Sequence, residues 1–165
     1  MKNKIRKQIY NLIPKNSKVI DIGCGKGKLL NYLSKKINYG LGIDIKKLNV
    51  SKKDNLEFKT INSKNIIGNF DYSIAMFSLH SMNYATQIKT LENMKKISKK
   101  IILIDLILPK NIFYKKLISF DEILAGHYKN FKNYKKIGME KLILNSGLKI
   151  KKEIKHKIYS IWICK

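Results

Sequence analysis

The sequence predicts an α/β domain on an open, mostly parallel sheet that finishes in an antiparallel hairpin. Three observations carry this reading. Short β-branched runs alternate with segments whose apolar residues recur at helical spacing. The first such run ends in alternating glycines, Gly23, Gly25 and Gly27, from which a helix starts. The last two apolar runs meet at a tight turn near His156 with no helix between them, so they pair in opposite directions.

The elements follow in chain order. Ile5, Ile9 and Leu12-Ile13 mark a helix over about 3–13, stopped by Pro14. Lys18–Ile22 reads as a buried strand, and Leu29, Leu30, Leu33 and Ile37 as the helix after it, closed by Asn38 and Gly40. Leu41–Ile45 is the second strand, followed by about ten weakly patterned residues with room for one or two helical turns. Leu56–Phe58 and Asp71–Phe77 are the third and fourth strands. Tyr84, Ile88, Leu91, Met94 and Ile97 define the next helix, and Ile101–Leu108 the fifth strand, closed by Pro109. A helical pattern then runs through Ala125 and gives way to a polar, aromatic stretch, Gly126–Tyr134. Met139, Leu142 and Ile143 mark a last helix ended by Gly147, and Leu148–Ile154 with Lys157–Cys164 form the hairpin.

The 165 residues make one domain, 1–165, large enough to bury its own core. No apolar run approaches the ~18 residues of a spanning helix, and the basic start has no uninterrupted apolar stretch behind it, so a cytoplasmic protein is expected. Cys24 and Cys164 stand at opposite ends of the chain, which indicates neither a disulfide framework nor a cysteine metal site. Thirty-five basic residues against 11 acidic ones give +24, the charge of a nucleic-acid binder. Yet Arg6 is the only arginine, and Ala75, Ala85 and Ala125 are the only alanines in a chain crowded with isoleucine and asparagine. Lysine, isoleucine and asparagine are the products of A/T-rich coding, whereas a reader of nucleic acid favours the arginine fork. The charge therefore selects no partner by itself.

The scarce acids are more informative. Asp21 and Asp44 fall near the carboxyl ends of the first two strands, where an open α/β sheet binds ligands. Asp71 suits a cap or a solvated loop, and Asp105 lies within the fifth apolar run. In Asp21-Ile22-Gly23-Cys24-Gly25-Lys26-Gly27-Lys28, the dinucleotide spacing G-x-G-x-x-G would need glycine at Lys28. A P-loop would need Ser or Thr after Gly27-Lys28, where Leu29 stands. A carboxylate two residues before the first glycine repels a pyrophosphate and suits a cationic or hydrogen-bond-donating ligand. A nicotinamide dehydrogenase is accordingly disfavoured.

These residues resemble the first motif of the class I S-adenosylmethionine-dependent methyltransferases, an acid, any residue, then G-x-G-x-G. The likeness continues through Asp44, Asn69–Ile74 and Phe77–Met82 and covers the whole chain. It is nearest to the small-molecule branch that includes the ubiquinone/menaquinone-biosynthesis enzymes, where a segment like Ala125–Phe131 recurs. The resemblance implies a Rossmann-like, doubly wound, seven-stranded sheet and S-adenosylmethionine as cofactor. It places Asp21, Gly23, Cys24, Gly25, Gly27, Asp44, Ile45, Asn62, Ser63, Met76 and Phe77 at the cofactor, with Asp44 on the ribose hydroxyls. Two departures stand out. Asn62 replaces the acid that usually meets the adenine amine, and can accept only through its neutral carbonyl. No N-P-P-Y-type tetrapeptide follows the fourth strand, which lowers amine methylation on DNA bases.

His80 is a candidate general base, with a helix cap or sheet-edge packing as the plainer uses. His127, Tyr128 and Phe131 are candidates for the acceptor wall, with surface packing as the alternative. Cys24 is read as a small spacer between glycines, and Trp162 as core. The expected activity is methyl transfer to a small molecule. RNA is the second acceptor class because of the lysines, and a non-catalytic cofactor-binding module is the rival.

Overall fold

The computed structural model describes residues 1–47, 49–50, 53–107, 126 and 128–165. In chain order the elements are α1 (Lys2–Leu12), β1 (Lys18–Ile22), α2 (Lys28–Leu33), β2 (Tyr39–Asp44), β3 (Leu56–Thr60), β4 (Phe70–Met76), α3 (Tyr84–Ile97) and β5 (Ser98–Leu106). After them come α4 (Tyr128–Ile137), α5 (Met139–Asn145), β6 (Ile150–Lys155) and β7 (Tyr159–Cys164). Short 3-10 turns occupy Ser63–Asn65 and Leu79–Ser81.

The strands form one seven-stranded sheet in the order β3-β2-β1-β4-β5-β7-β6. The first five are parallel, and β7 runs antiparallel between β5 and β6. This is the predicted Rossmann-like architecture with its antiparallel finish. The order reverses between β1 and β4, which opens a crevice at their carboxyl ends.

Strand alternation sends successive side chains to opposite faces of the sheet. Val19, Ile74, Ile102, Ile104 and Ile161 pack on α1 and α2 through Ile5, Ile9, Leu29, Leu30 and Leu33. Ile20, Ile22, Ala75, Leu103 and Trp162 pack on α3, α4 and α5 through Leu91, Met94, Phe131, Tyr134 and Leu142. Helix α1 stops where a residue before proline must be extended, and Ile13 is so at φ −94° and ψ 124°. Helix α3 starts on Asn83, whose side chain accepts the Thr86 N–H at 2.9 Å.

Four departures from the sequence expectation go beyond one or two residues at an element's end. Helix α2 ends at Leu33 and turns over the next three residues, although Ile37 is still buried. Strand β5 begins at Ser98 because its ladder with β4 includes Ser98 and Lys100, whose side chains carry no apolar signal. The stretch between β2 and β3 has no helical turn among its described residues; an isolated bridge joins Lys53 to Leu56. The polar, aromatic stretch from Tyr128 is helical, with Phe131 and Tyr134 three apart on its buried face. The helix expected before Ala125, and His127, lie outside the described residues. Among the described residues no helix is long and apolar enough to cross a membrane.

Candidate functional site

The glycine turn between β1 and α2 is fastened to β2: the Gly23 and Cys24 N–H groups both donate to the Ile43 carbonyl, at 2.8 and 3.0 Å. Gly25 takes φ +52° with nothing within 4 Å of where a Cβ would stand, so the turn needs glycine and leaves the space above it open. Gly23 is pressed against Ser78, whose Cβ would lie 2.5 Å from an added Cβ. Ser78 Oγ also donates to the Ile22 carbonyl at 2.9 Å, tying the turn to the end of β4. Gly27 backs onto Val50 and Phe58 and serves the packing behind the turn rather than the crevice.

Two clefts open on either side of this turn and share Gly23, Gly25 and Phe77. The first, about 470 Å³, is walled by Asp44, Ile45, Asn62 and Ser63 with Met82, Asn83 and Asn130 opposite. The second, about 410 Å³, is walled by Asp21, Cys24 and Met76 with Lys2 and Arg6 of α1. Phe77 stands between them at φ +55°, a left-handed conformation that non-glycine residues seldom keep away from functional sites. Its N–H is held by the Ile104 carbonyl at 2.8 Å, and its ring meets Tyr159 edge-on.

The acids differ sharply in their surroundings. Asp44 Oδ2 accepts the Gly25 N–H at 2.9 Å and Oδ1 the Lys46 N–H at 3.0 Å, so the carboxylate braces the turn while it faces the first cleft. Asp21 is 2% exposed, and burial, then the charge of Asp44, pushes its carboxyl up to about 7. Among the described residues it has no ion pair. The same burial and the same two acids drive the Cys24 thiol up to about 12, which suits a spacer and not a nucleophile. Asp71 is structural: it accepts the Lys18 N–H and pairs with Lys99, and these contacts lower its pKa.

Of the remaining candidates, Asn62 Oδ1 accepts the Lys64 N–H at 3.0 Å, which leaves one lone pair on that oxygen. Ser63 is buried with its hydroxyl on Thr90. His80 is 6% exposed and lines neither cleft; its Nδ1 bonds the carboxylate of the fully buried Asp105. Asp105 also accepts the His80 and Leu106 N–H groups, at 3.2 and 2.8 Å. Phe131 and Tyr134 close over the His80 ring edge-on. Phe131 is core at 1% exposure, whereas Tyr128 lies on the surface beneath the Lys135 ammonium. These two rings do not converge on either cleft. Sequence reasoning missed Arg6, Ser78 and Asn130 as parts of the site. Only Arg6 carried a signal, as the lone arginine.

The comparisons with known proteins agree with this geometry. The profile of a family described as Methionine biosynthesis protein MetW matches residues 4–129. A protein of Invertebrate iridescent virus 6 with the provisional name methyltransferase 235L is 32% identical over 108 residues. That match takes in 60% of this chain and 41% of the relative, so the chain spans under half the relative's length. Among solved structures, the magnesium protoporphyrin IX methyltransferase ChlM of Synechocystis PCC 6803, bound to SAH, superposes with a TM-score of 0.67 at 15% identity. It covers 98% of this chain and 81% of that one. A SAM-dependent methyltransferase from Aquifex aeolicus gives 0.69 at 15% identity, over 96% of this chain and 88% of that one. At such identities the likeness establishes the fold, that of the S-adenosylmethionine-dependent methyltransferases.

Proposed function

The chain belongs to the MetW family, and on that premise we propose that it transfers a methyl group from S-adenosylmethionine to a small-molecule acceptor. The observation that carries the proposal is the pair of acids bracketing an open glycine turn. Asp44 stands on one side, fixed to the Gly25 N–H, and the buried Asp21 on the other. Such a bracket repels a pyrophosphate and receives a cationic nucleoside. The residues present fit that group: the space over Gly25 is open, and Asp44 retains lone pairs for two ribose hydroxyls.

S-adenosylmethionine supplies a methyl group on a sulfonium, from which a neutral thioether leaves. What the chain must provide is position. The first cleft holds the nucleoside, with Asn62 and Ser63 at the base end and the 71% exposed Ile45 as an apolar face. Phe77, on the border of both clefts, aligns the reacting end. His80 fits a positioning role better than a base role, since Asp105 and two aromatic rings enclose it. It holds the turn Leu79–Ser81, whose Ser81 carbonyl receives the Asn130 side chain of α4 at 2.7 Å. The reading is of a cytoplasmic enzyme, to which the unbridged Cys24 and Cys164 are suited. Within it, the quinone-biosynthesis branch is the narrower proposal, supported by the resemblance of Ala125–Phe131. RNA is the second acceptor class, supported by the +24 charge.

Calorimetry with S-adenosylmethionine, S-adenosylhomocysteine and NAD tests the cofactor: the first two bind and NAD does not. Failure of both adenosyl ligands to bind the folded protein sinks the reading. Methylated product from an acceptor panel separates an enzyme from a binding module. RNA binding that survives physiological salt would move the acceptor to the second class.

A further inference from the structure

We propose that the cavity between the β5–β7 face of the sheet and the junction of α4 with α5 is a separate ligand site, which takes a flat aromatic carboxylate. Among the described residues it shares no lining side chain with either cleft at the glycine turn. The inference therefore does not depend on the S-adenosylmethionine reading.

The cavity measures about 320 Å³. A well-packed interior seldom leaves a void larger than a water, and this one has the size of a small-molecule pocket. Its walls follow from the local fold. Helix α4 ends at Ile137 and α5 begins at Met139; between them Gly138 takes φ +80°, with nothing within 4 Å of where a Cβ would stand. The junction carries no side chain, and space remains beside it. Ile107, Ile137 and Met139 make the walls apolar, and Phe131, Tyr134 and Trp162 supply rings. The Phe131 and Tyr134 planes lie within 19° of each other, a surface suited to a flat ligand.

The polar groups then select the ligand. The Tyr134 hydroxyl is spent, since it donates to the Leu106 carbonyl at 2.8 Å. Trp162 is different: the residue is 1% exposed, and its Nε1 is buried without a hydrogen-bond partner. A buried donor left unmade is costly, and an indole N–H can only donate, so the partner that relieves it must bring an oxygen. Lys135 and the exposed Lys141 stand on the same cavity, while the acid beside them, Glu140, faces Lys155 at 3.9 Å. The field there favours an anion over a cation. An aromatic carboxylate meets all three conditions, with rings for the walls, an oxygen for the indole and a negative charge for the lysines.

Trp162 is the only tryptophan of the chain, so its fluorescence reads occupancy directly. The test titrates the protein with 2-naphthoate and with 2-naphthylmethylamine, which keeps the rings but carries a cation and no acceptor. Naphthoate is expected to change the emission saturably, with half-saturation below about 1 mM, and the amine to bind at least about tenfold more weakly. By calorimetry, Trp162→Phe, which keeps a ring and removes the donor, should weaken naphthoate about three- to tenfold. If circular dichroism shows that this variant does not fold, Lys141→Gln on the exposed rim carries the test, with a loss of at least about twofold expected. No saturable change, equal binding of the amine, or undiminished naphthoate affinity in the folded variant would each overturn the site. Displacement of naphthoate by S-adenosylhomocysteine would place it in the clefts of the glycine turn and also overturn the proposal.

Discussion

Two carboxylates buried in neighbouring parts of the sheet have opposite fates. Asp105, fully buried in β5, accepts from the His80 ring and from two backbone N–H groups. Asp21, 2% exposed in β1, is pushed up to about 7 and has no ion pair among the described residues. A buried charge that is fully bonded holds structure together, whereas one left waiting costs stability until a ligand arrives. The β5 side of the molecule is therefore built for rigidity. The β1 side is built for binding.

Removing each acid should separate the two regions. Asp105→Ala strips three donors of their acceptor and should cost about 3–5 kcal/mol in urea unfolding; a loss under about 1 kcal/mol would end the contrast. Asp21→Asn should do the reverse and raise stability at pH 8 by roughly 2–4 kcal/mol. The sign follows from its raised pKa. The folded protein holds a proton that the unfolded chain releases near pH 3.8, so wild-type stability falls as pH rises from about 4 to 7. The variant should lack that slope, and an unchanged pH profile would show that Asp21 is solvated. Asp44→Ala should leave the fold intact and weaken S-adenosylhomocysteine roughly 10–100-fold by calorimetry, through lost bonds worth about 1.5–3 kcal/mol each. Undiminished affinity would remove Asp44 from the site. Tyr128→Ala, at 38% exposure with, among the described residues, the Lys135 ammonium over its ring, should change stability by no more than about 1 kcal/mol and cofactor affinity by less than twofold. A drop in turnover alone would assign the ring to the acceptor.

The same contrast explains what the sequence made legible. Asp21, the glycines and Asp44 lie within 24 residues, in a pattern whose chemistry depends on local spacing, so the β1 side could be read directly. The pairing of His80 with Asp105 spans 25 residues and two elements, and no spacing announces it. Helix α4 was hidden because only Phe131 and Tyr134 mark its buried face, and the residues between them are polar. Gly27 looked like its neighbours in sequence, yet it meets Val50 and Phe58 from a distant strand and loop. The sheet itself was legible because alternation of apolar runs needs no long-range information.

The interleaving of β7 between β5 and β6 also bears on how the molecule is made. On a growing chain β6 emerges before β7, yet β7 is its only neighbour among the described strands. Until then β5 shows an unpaired edge with Ile102 and Ile104 on it, and β6 lacks its strand partner. The parallel strands from β3 to β5 can pair without the hairpin, and closure of the hairpin then completes the sheet. That event lays Trp162 under the helical layer and buries it to 1% exposure, so the tryptophan doubles as an intrinsic reporter of when the sheet is complete.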